Sequence, residues 1–292
     1  MMFNNKYLLN ASKNSPLSTK EYVTAQVIHD WYKHWDGMVY VLFSGGKDST
    51  VLLHMVRKLY PDVLAVFINT GLEYPEVVDF VKTIDNVKWI KPKRTYRHII
   101  NDYGYPVISK QNAQKIYEIR NTKSAKLRNL RLNSDDSLNR LARKWHFMID
   151  APFKISHQCC KFLKIAPVTK FERISGLKQF NGAMACDSDM KRRTFIKQGA
   201  NDYTGKIHKS APLSIWNDGD IWEYVKKYDV KVSGIYKLGH NRTGCMYCLY
   251  GAHMEKGLNR FQLMKMTHPK QYIYAMKYLK LGKVLTFMNI NH

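Results

Sequence analysis

The sequence predicts an α/β protein: a doubly wound, mostly parallel sheet with a helical insertion and a helical C-terminal region. Two successive strand–turn–helix units carry that prediction. In the first, Met38-Val39-Tyr40-Val41-Leu42-Phe43 is a short run of β-branched and aromatic residues, the composition of a buried strand. It stops at Ser44-Gly45-Gly46, where two glycines let the backbone turn tightly and approach a ligand, and Val51, Leu52, Met55, Val56 and Leu59 then fall at helical spacing. In the second, Val63 to Ile68 is continuously apolar, as strands covered on both faces are, and a helix follows from Pro75 to about Val81. Such a sheet places its ligand crevice beyond the carboxyl ends of the strands.

The remaining elements follow in order. Residues 1–17 are polar and irregular and read as a flexible arm. Ser18 and Glu21 have capping-box spacing ahead of Val23, Val27 and Trp31, which predicts a helix laid on the sheet. Val87 to Ile90 is a third strand, and residues 92–146 form a basic helical insertion over the strand ends. Gln158-Cys159-Cys160-Lys161 precedes a modest helix through Phe171, and Phe180 to Cys186 reads as a further strand. Pro212 to Trp222 holds a capped helix start, and amphipathic helices near 257–266 and 269–281 follow. The expected division is an arm (1–17), an α/β domain (18–215) and a helical C-terminal region (216–292).

Hydrophobic residues make up 45% and aromatic residues 13% of the 292, which argues for a folded chain. No apolar run approaches the ~18–20 residues that span a bilayer, and the first residues lack a secretory h-region. The expectation is a cytoplasmic protein with no membrane partner. Lys and Arg number 47 against 23 Asp and Glu, a net charge of +24, which favours polyanionic partners. Between Lys88 and Arg131 there are 12 Lys and Arg against Asp102 and Glu118 only, with Tyr96, Tyr103, Tyr105 and Tyr117 among them. Cations interleaved with flat rings suit a nucleic-acid backbone and unstacked bases; a solvated helical face is the plainer reading.

Five cysteines without an export signal do not read as a disulfide framework. Cys245-x-x-Cys248 brings two sulfurs to one metal centre, and Cys159-Cys160 supplies a second pair. Adjacent cysteines suit the wide edge of an iron–sulfur cluster better than zinc, whose ligands are usually two to four residues apart; zinc and unligated thiols stand as alternatives. Cys186, at a strand end facing the presumed ligand site, reads as a buried free cysteine.

The strand–glycine turn–helix at 38–59 aims backbone N–H groups and a helix N-terminus at a phosphate. It is not the G-x-x-x-x-G-K-[ST] loop, because Asp48 follows Lys47. Ser44 to Ser49, S-G-G-x-D-S, resembles instead the PP-loop of the adenine nucleotide alpha-hydrolases, which have a Rossmann-like fold. The turn Thr70-Gly71…Pro75-Glu76 resembles that of the PAPS and APS reductase branch, with Asn69 where that branch has Asp. Asp187 to Arg193 resembles a second element of the branch, with Asp187 in place of Glu, and Pro212 to Trp222 is similar to a third. Cys-Cys…Cys-x-x-Cys is also the pattern of [4Fe–4S] APS reductases and of the ATP-pyrophosphatase subunit of DNA phosphorothioation systems. The resemblance runs from about residue 20 to 270.

That resemblance implies a nucleotide site of Ser44, Gly45, Gly46, Lys47, Asp48, Ser49, Thr50, Thr70, Gly71, Arg192 and Arg193. Lys47, Asp48, Arg192 and Arg193 would be catalytic, with Mg²⁺ held at Asp48 and the arginines offsetting phosphate charge. Cys159, Cys160, Cys245 and Cys248 would hold the [4Fe–4S] cluster. Sulfonucleotide reduction requires a nucleophilic cysteine in a C-terminal tail, and no cysteine follows Cys248. The leading expectation is therefore an ATP-using enzyme, cleaving between the α and β phosphates to adenylate a nucleic acid (DNA or tRNA) for sulfur insertion. A sulfur donor or reductase would be its partner. An APS/PAPS reductase releasing sulfite and a nucleotide-regulated nucleic-acid-binding protein are the alternatives.

Overall fold

The computed structural model describes residues 5–205 and 207–292. In chain order the elements are α1 (Asn5–Ala11), α2 (Leu17–His34), β1 (Val39–Phe43), α3 (Lys47–Leu59), β2 (Leu64–Ile68), α4 (Pro75–Lys82) and β3 (Val87–Ile90). Next come α5 (Tyr96–Asp102), β4 (Val107–Ile108), α6 (Lys110–Asn121), α7 (Ala125–Asn133), α8 (Ala166–Ser175), β5 (Lys178–Asn181) and α9 (Asp189–Gln198). The chain ends with β6 (Asn201–Asp202), β7 (Lys209–Ser210), α10 (Asp218–Lys227), β8 (Leu249–Tyr250), α11 (Arg260–Thr267), α12 (Pro269–Ile273) and α13 (Leu281–Phe287). Lys161–Ile165 and Tyr274–Tyr278 are single π-helical turns.

Two compact units divide these elements. The first comprises residues up to Asn69, Tyr74–Ile90 and Val168–Tyr236. Its sheet runs β3-β2-β1-β5-β7-β6, with parallel pairing except between β6 and β7. The α/β class and the doubly wound sheet are as the sequence predicts. Tyr40 pairs with Leu64 on one side of β1 and Gln179 on the other, so the chain leaves β1 toward β2 and later returns to its opposite edge at β5. That reversal leaves a crevice at the carboxyl ends of β1 and β5. Beneath it, Val41, Phe43, Ala65, Phe67 and Phe180 join Trp31 and Trp216 in one buried core.

A buried polar pair fixes α2 against α10. The Lys20 ammonium meets both carboxylate oxygens of Asp220 at 2.8 and 2.7 Å, and the Trp216 indole N–H donates to Thr24 Oγ1 at 2.8 Å. Asp220 also accepts from the Asn217 amide at 2.7 Å, closing the capping box that starts α10. The expected capping box at Ser18 and Glu21 does not form: α2 begins at Leu17 after Pro16, and Glu21 instead accepts from Lys227 and Tyr228. Nor is the N-terminal arm irregular where described, since Asn5–Ala11 is helical. Leu8 and Leu9 pack on the core, and Asn5 Nδ2 donates to the Ile196 carbonyl. The strand expected to reach Cys186 ends at Asn181, whose side chain accepts from the Ala183 amide and turns the backbone out of the sheet.

The second unit comprises Thr70–Glu73, Lys91–Pro167 and Lys237–His292. Serine, threonine and asparagine side chains cap its helices: Thr95 for α5, Ser109 for α6, Ser124 for α7 and Asn259 for α11. β4 and β8 pair in parallel, Val107 with Leu249 and Ile108 with Tyr250. The expected boundaries shift accordingly. The insertion continues to Pro167 and is grouped with the C-terminal stretch, whereas residues 216–236, including α10, belong with the sheet. Among the described residues no helix is long and apolar enough to cross a membrane.

Candidate functional site

The loop between β1 and α3 lies at the sheet's reversal point, and its geometry follows from its small residues. Gly45 has φ 72°, and a Cβ there would lie 2.8 Å from Val77 Cγ1 and Val81 Cγ2. Glycine is thus required twice over, for a left-handed backbone and for space. Ser49 Oγ holds the turn, accepting from the Ser44 amide at 3.1 Å and donating to the Gly46 carbonyl at 2.9 Å. Thr50 Oγ1 donates to the same carbonyl at 3.0 Å. The loop after β5 passes close by: a Cβ on Gly182 would lie 3.2 Å from the Ser49 amide nitrogen. The first turn of α3, the positive end of that helix, therefore opens into the crevice.

Lys47 is the buried cation of this turn, 4% exposed. Its amide donates to the Tyr236 hydroxyl at 2.7 Å, and its ammonium contacts Asp218 at 2.6 Å and Asp48 at 3.0 Å. Burial pulls its pKa down, but the two carboxylates outweigh that and leave it raised, so the side chain stays charged. A charged lysine at a helix N-terminus is a ready phosphate partner, and the carboxylates that hold it are oxygen ligands suited to Mg²⁺.

The four paired cysteines all fall in the second unit. Cys159 Sγ lies 3.9 Å from Cys160 Sγ, and the Cys248 amide donates to the Cys245 carbonyl at 3.0 Å in a tight turn. Cys160 is pulled down to about 6, chiefly by the hydrogen bond from Cys159 and against burial, with Lys164 and Lys110 assisting. Cys159 is raised in turn, by giving that hydrogen bond, by burial and by the charges of Cys160, Cys248 and Cys245. Burial raises Cys245 and pushes Cys248 up to about 11. Lys164 sits in the π-helical turn just after Cys160, and its pKa is raised first by Cys245, then, against burial, by Cys160, Glu73 and Cys248. The residue is exposed as a whole, but its ammonium faces the sulfurs. Four soft donors within electrostatic reach of one another, one with its pKa lowered and a cation to balance them, fit the donor chemistry of an iron–sulfur cluster. Among the described residues no three His, Cys, Asp or Glu side chains converge on a single metal-ion position.

The other expected residues are placed differently. Thr70 and Gly71 belong to the cysteine-bearing unit; Thr70 is folded around the Glu73 carboxylate at 2.6 Å, and the Leu72 carbonyl accepts from the Met246 amide at 2.8 Å. Arg192 and Arg193 are exposed on the early part of α9, with no hydrogen bond or ion pair to the Ser44–Thr50 loop among the described residues. Cys186, expected to be buried, is exposed and donates to the Trp216 carbonyl at 3.4 Å; burial of its thiol, then Asp187, Asp218 and Asp48, raise its pKa. Sequence reasoning passed over Asp218, Tyr236, Gly182, Lys164 and Glu73. Only Asp218 carried a signal, as the first residue after the Asn217 cap.

A parallel sheet whose central strand runs into a glycine turn and a lysine-bearing helix N-terminus defines an α/β fold with its loop at the strand ends. The chain belongs to the phosphoadenosine phosphosulfate reductase domain family, whose profile matches residues 38–131 and 106–250, and it is an enzyme of that PP-loop group. It is 25% identical to an adenosine 5'-phosphosulfate reductase of Staphylococcus haemolyticus, over 77% of this chain and 76% of that one. A Bacillus cereus protein of the same description is 24% identical over 74% and 75%. Among solved structures, the phosphoadenylyl-sulfate reductase of Candida auris in a phosphate complex aligns with a TM-score of 0.46 at 16% identity, covering 82% of this chain and 93% of that one. The U34-tRNA thiolase NcsA of Methanococcus maripaludis with its [4Fe-4S] cluster aligns with a TM-score of 0.41 at 12% identity, covering 94% and 82%.

Proposed function

We propose that the chain binds ATP at the Ser44–Thr50 loop, cleaves it between the α and β phosphates, and adenylates a nucleic acid that then receives sulfur. The observation that carries this reading is Lys47: a buried, charged lysine in the first turn of α3, at the reversal point of the sheet and flanked by Asp48 and Asp218. An acceptor oxygen attacks the α phosphorus, the bond to the bridging oxygen breaks, and pyrophosphate leaves with the electron pair. The helix N-terminus and Lys47 stabilise that leaving charge, and Asp48 and Asp218 would hold a Mg²⁺ ion, which would supply further charge neutralisation. Arg192 and Arg193 are the further phosphate-offsetting groups. A sulfur nucleophile supplied by a donor then displaces AMP from the acceptor. Cys159, Cys160, Cys245 and Cys248 would hold an iron–sulfur cluster, which would supply a site for handling that sulfur.

Sulfonucleotide reduction is disfavoured at Cys186, the cysteine outside the two pairs. Its thiol is held above its ordinary pKa and is a poor source of the thiolate that attacks a sulfonate. The decisive experiment measures AMP and pyrophosphate release from ATP, with and without DNA or tRNA, for the wild type and Lys47→Gln. Release that depends on Lys47 and rises with nucleic acid is expected. Sulfite formation from APS or PAPS with a thiol reductant, and no cleavage of ATP, overturns the proposal.

A further inference from the structure

The C-terminal part of the second unit carries a feature that the nucleotide loop and the thiols leave unused. From residue 256 to 292 the chain has seven Lys and Arg and no Asp or Glu. Within this stretch the π-helical turn Tyr274–Tyr278 presents two tyrosines to solvent, 38% and 55% exposed. Their rings stack, with centroids 5.7 Å apart and planes 25° from parallel. Tyr274 lies 6.0 Å from Tyr247, and Tyr247 lies 6.5 Å from Tyr96. The row thus runs from an exposed ring to a buried one, and Tyr247 stands between Cys245 and Cys248 in the chain. A π-turn adds a residue to a helix and re-aims its side chains, and such turns collect at functional positions. Lys270, Lys277 and Lys280 are exposed on the same turn or its flanks.

We propose that Tyr274 and Tyr278 form a stacking platform for an unpaired base of a single-stranded or looped nucleic acid, with the neighbouring lysines on its phosphates. The inference rests on the nucleic-acid acceptor proposed above and assigns the surface that receives it. An apolar protein surface gains nothing from the exposed Lys270, Lys277 and Lys280 beside the rings. A polyanion with flat bases gains from both parts: stacking is tolerant of sequence, and each phosphate–lysine contact releases a counterion. Direct stacking also disfavours duplex, whose bases are already stacked on one another.

The test is binding of a fluorescein-labelled single-stranded oligonucleotide, and of the same sequence as duplex, to the full chain by anisotropy across a salt series. Tyr278→Ala is expected to weaken single-strand binding about 5- to 150-fold. Tyr278→Phe keeps the flat face and restores affinity. Lys277→Gln is expected to lower the salt slope by about 0.7 for single strands, a change Tyr278→Ala does not make. Wild-type affinity in Tyr278→Ala, or equal losses for single strand and duplex, overturns the proposal, as does a protein partner lost from Tyr278→Ala while oligonucleotide binding persists. Thermal denaturation of each variant shows whether a loss is one of folding. Because no turnover is measured, the outcome is independent of ATP cleavage: an inactive enzyme that needs Tyr278 to bind supports this inference alone.

Discussion

Gly45→Ala tests the loop geometry most sharply, because Gly71 provides an internal control. Both glycines have nearly the same left-handed backbone, φ 72° and 75°. Around Gly71 a Cβ meets nothing within 4 Å, whereas at Gly45 it lies 2.8 Å from methyls of Val77 and Val81. Both valines are buried on α4, 1% and 0% exposed, and as β-branched residues they have little rotamer freedom to give way. The backbone penalty alone is about 1–2 kcal/mol and applies to both variants. Overpacking adds about 1–3 kcal/mol at Gly45 only. Urea unfolding, with each variant compared with wild type in its own transition, should therefore show about 1–2 kcal/mol for Gly71→Ala and about 2–5 kcal/mol for Gly45→Ala. Nucleotide binding by calorimetry should weaken in Gly45→Ala at temperatures where the variant is still folded. Equal losses from the two substitutions would show that the valines do not set the loop.

Asp220→Ala strands the Lys20 ammonium in the core, and urea denaturation should register about 3–5 kcal/mol, whereas Lys20→Met combined with Asp220→Leu recovers most of it. Replacing Cys160 or Cys248 by Ser should abolish visible absorption and bound iron after anaerobic purification; full iron content in both variants removes the cluster assignment. His54, 2.9 Å from the Tyr224 hydroxyl, has its pKa lowered by burial and then by Lys58. The unfolded chain therefore binds a proton more readily, so this contribution is complete above about pH 6.5 and is lost as pH falls below it. The slope of unfolding free energy against pH in that window should flatten in His54→Gln.

What the sequence disclosed was local. β1, the Ser44–Ser49 turn and α3 are readable because a continuous apolar run changes to helical spacing across two glycines, within about twenty residues. The two cysteine pairs are readable because their spacing is itself the signal. What escaped depends on distant partners. Lys20 and Asp220 meet across 200 positions, and Lys47 meets Tyr236 across 189. α1 forms where composition alone indicates a loose arm, since its leucines find a core assembled from far along the chain. The π-turn that carries Lys164 has no residue signature of its own in the sequence. The domain limits shifted for the same reason: α10 is amphipathic and equally legible as a free helix or as a layer of the sheet.

The backbone passes from one unit to the other at residues 69/70, 73/74, 90/91, 167/168 and 236/237. During synthesis, β1 pairs with β2 early, but its other edge has no partner until Lys178 emerges. At ordinary translation speeds that edge stays bare for on the order of ten seconds, time enough to recruit strands from neighbouring nascent chains. The Ser44–Thr50 turn is completed later still, when Tyr236 leaves the ribosome and its hydroxyl accepts from the Lys47 amide. Ribosome-bound intermediates halted before Lys178 should therefore need chaperones, and those halted before Tyr236 should lack the finished Ser44–Thr50 turn.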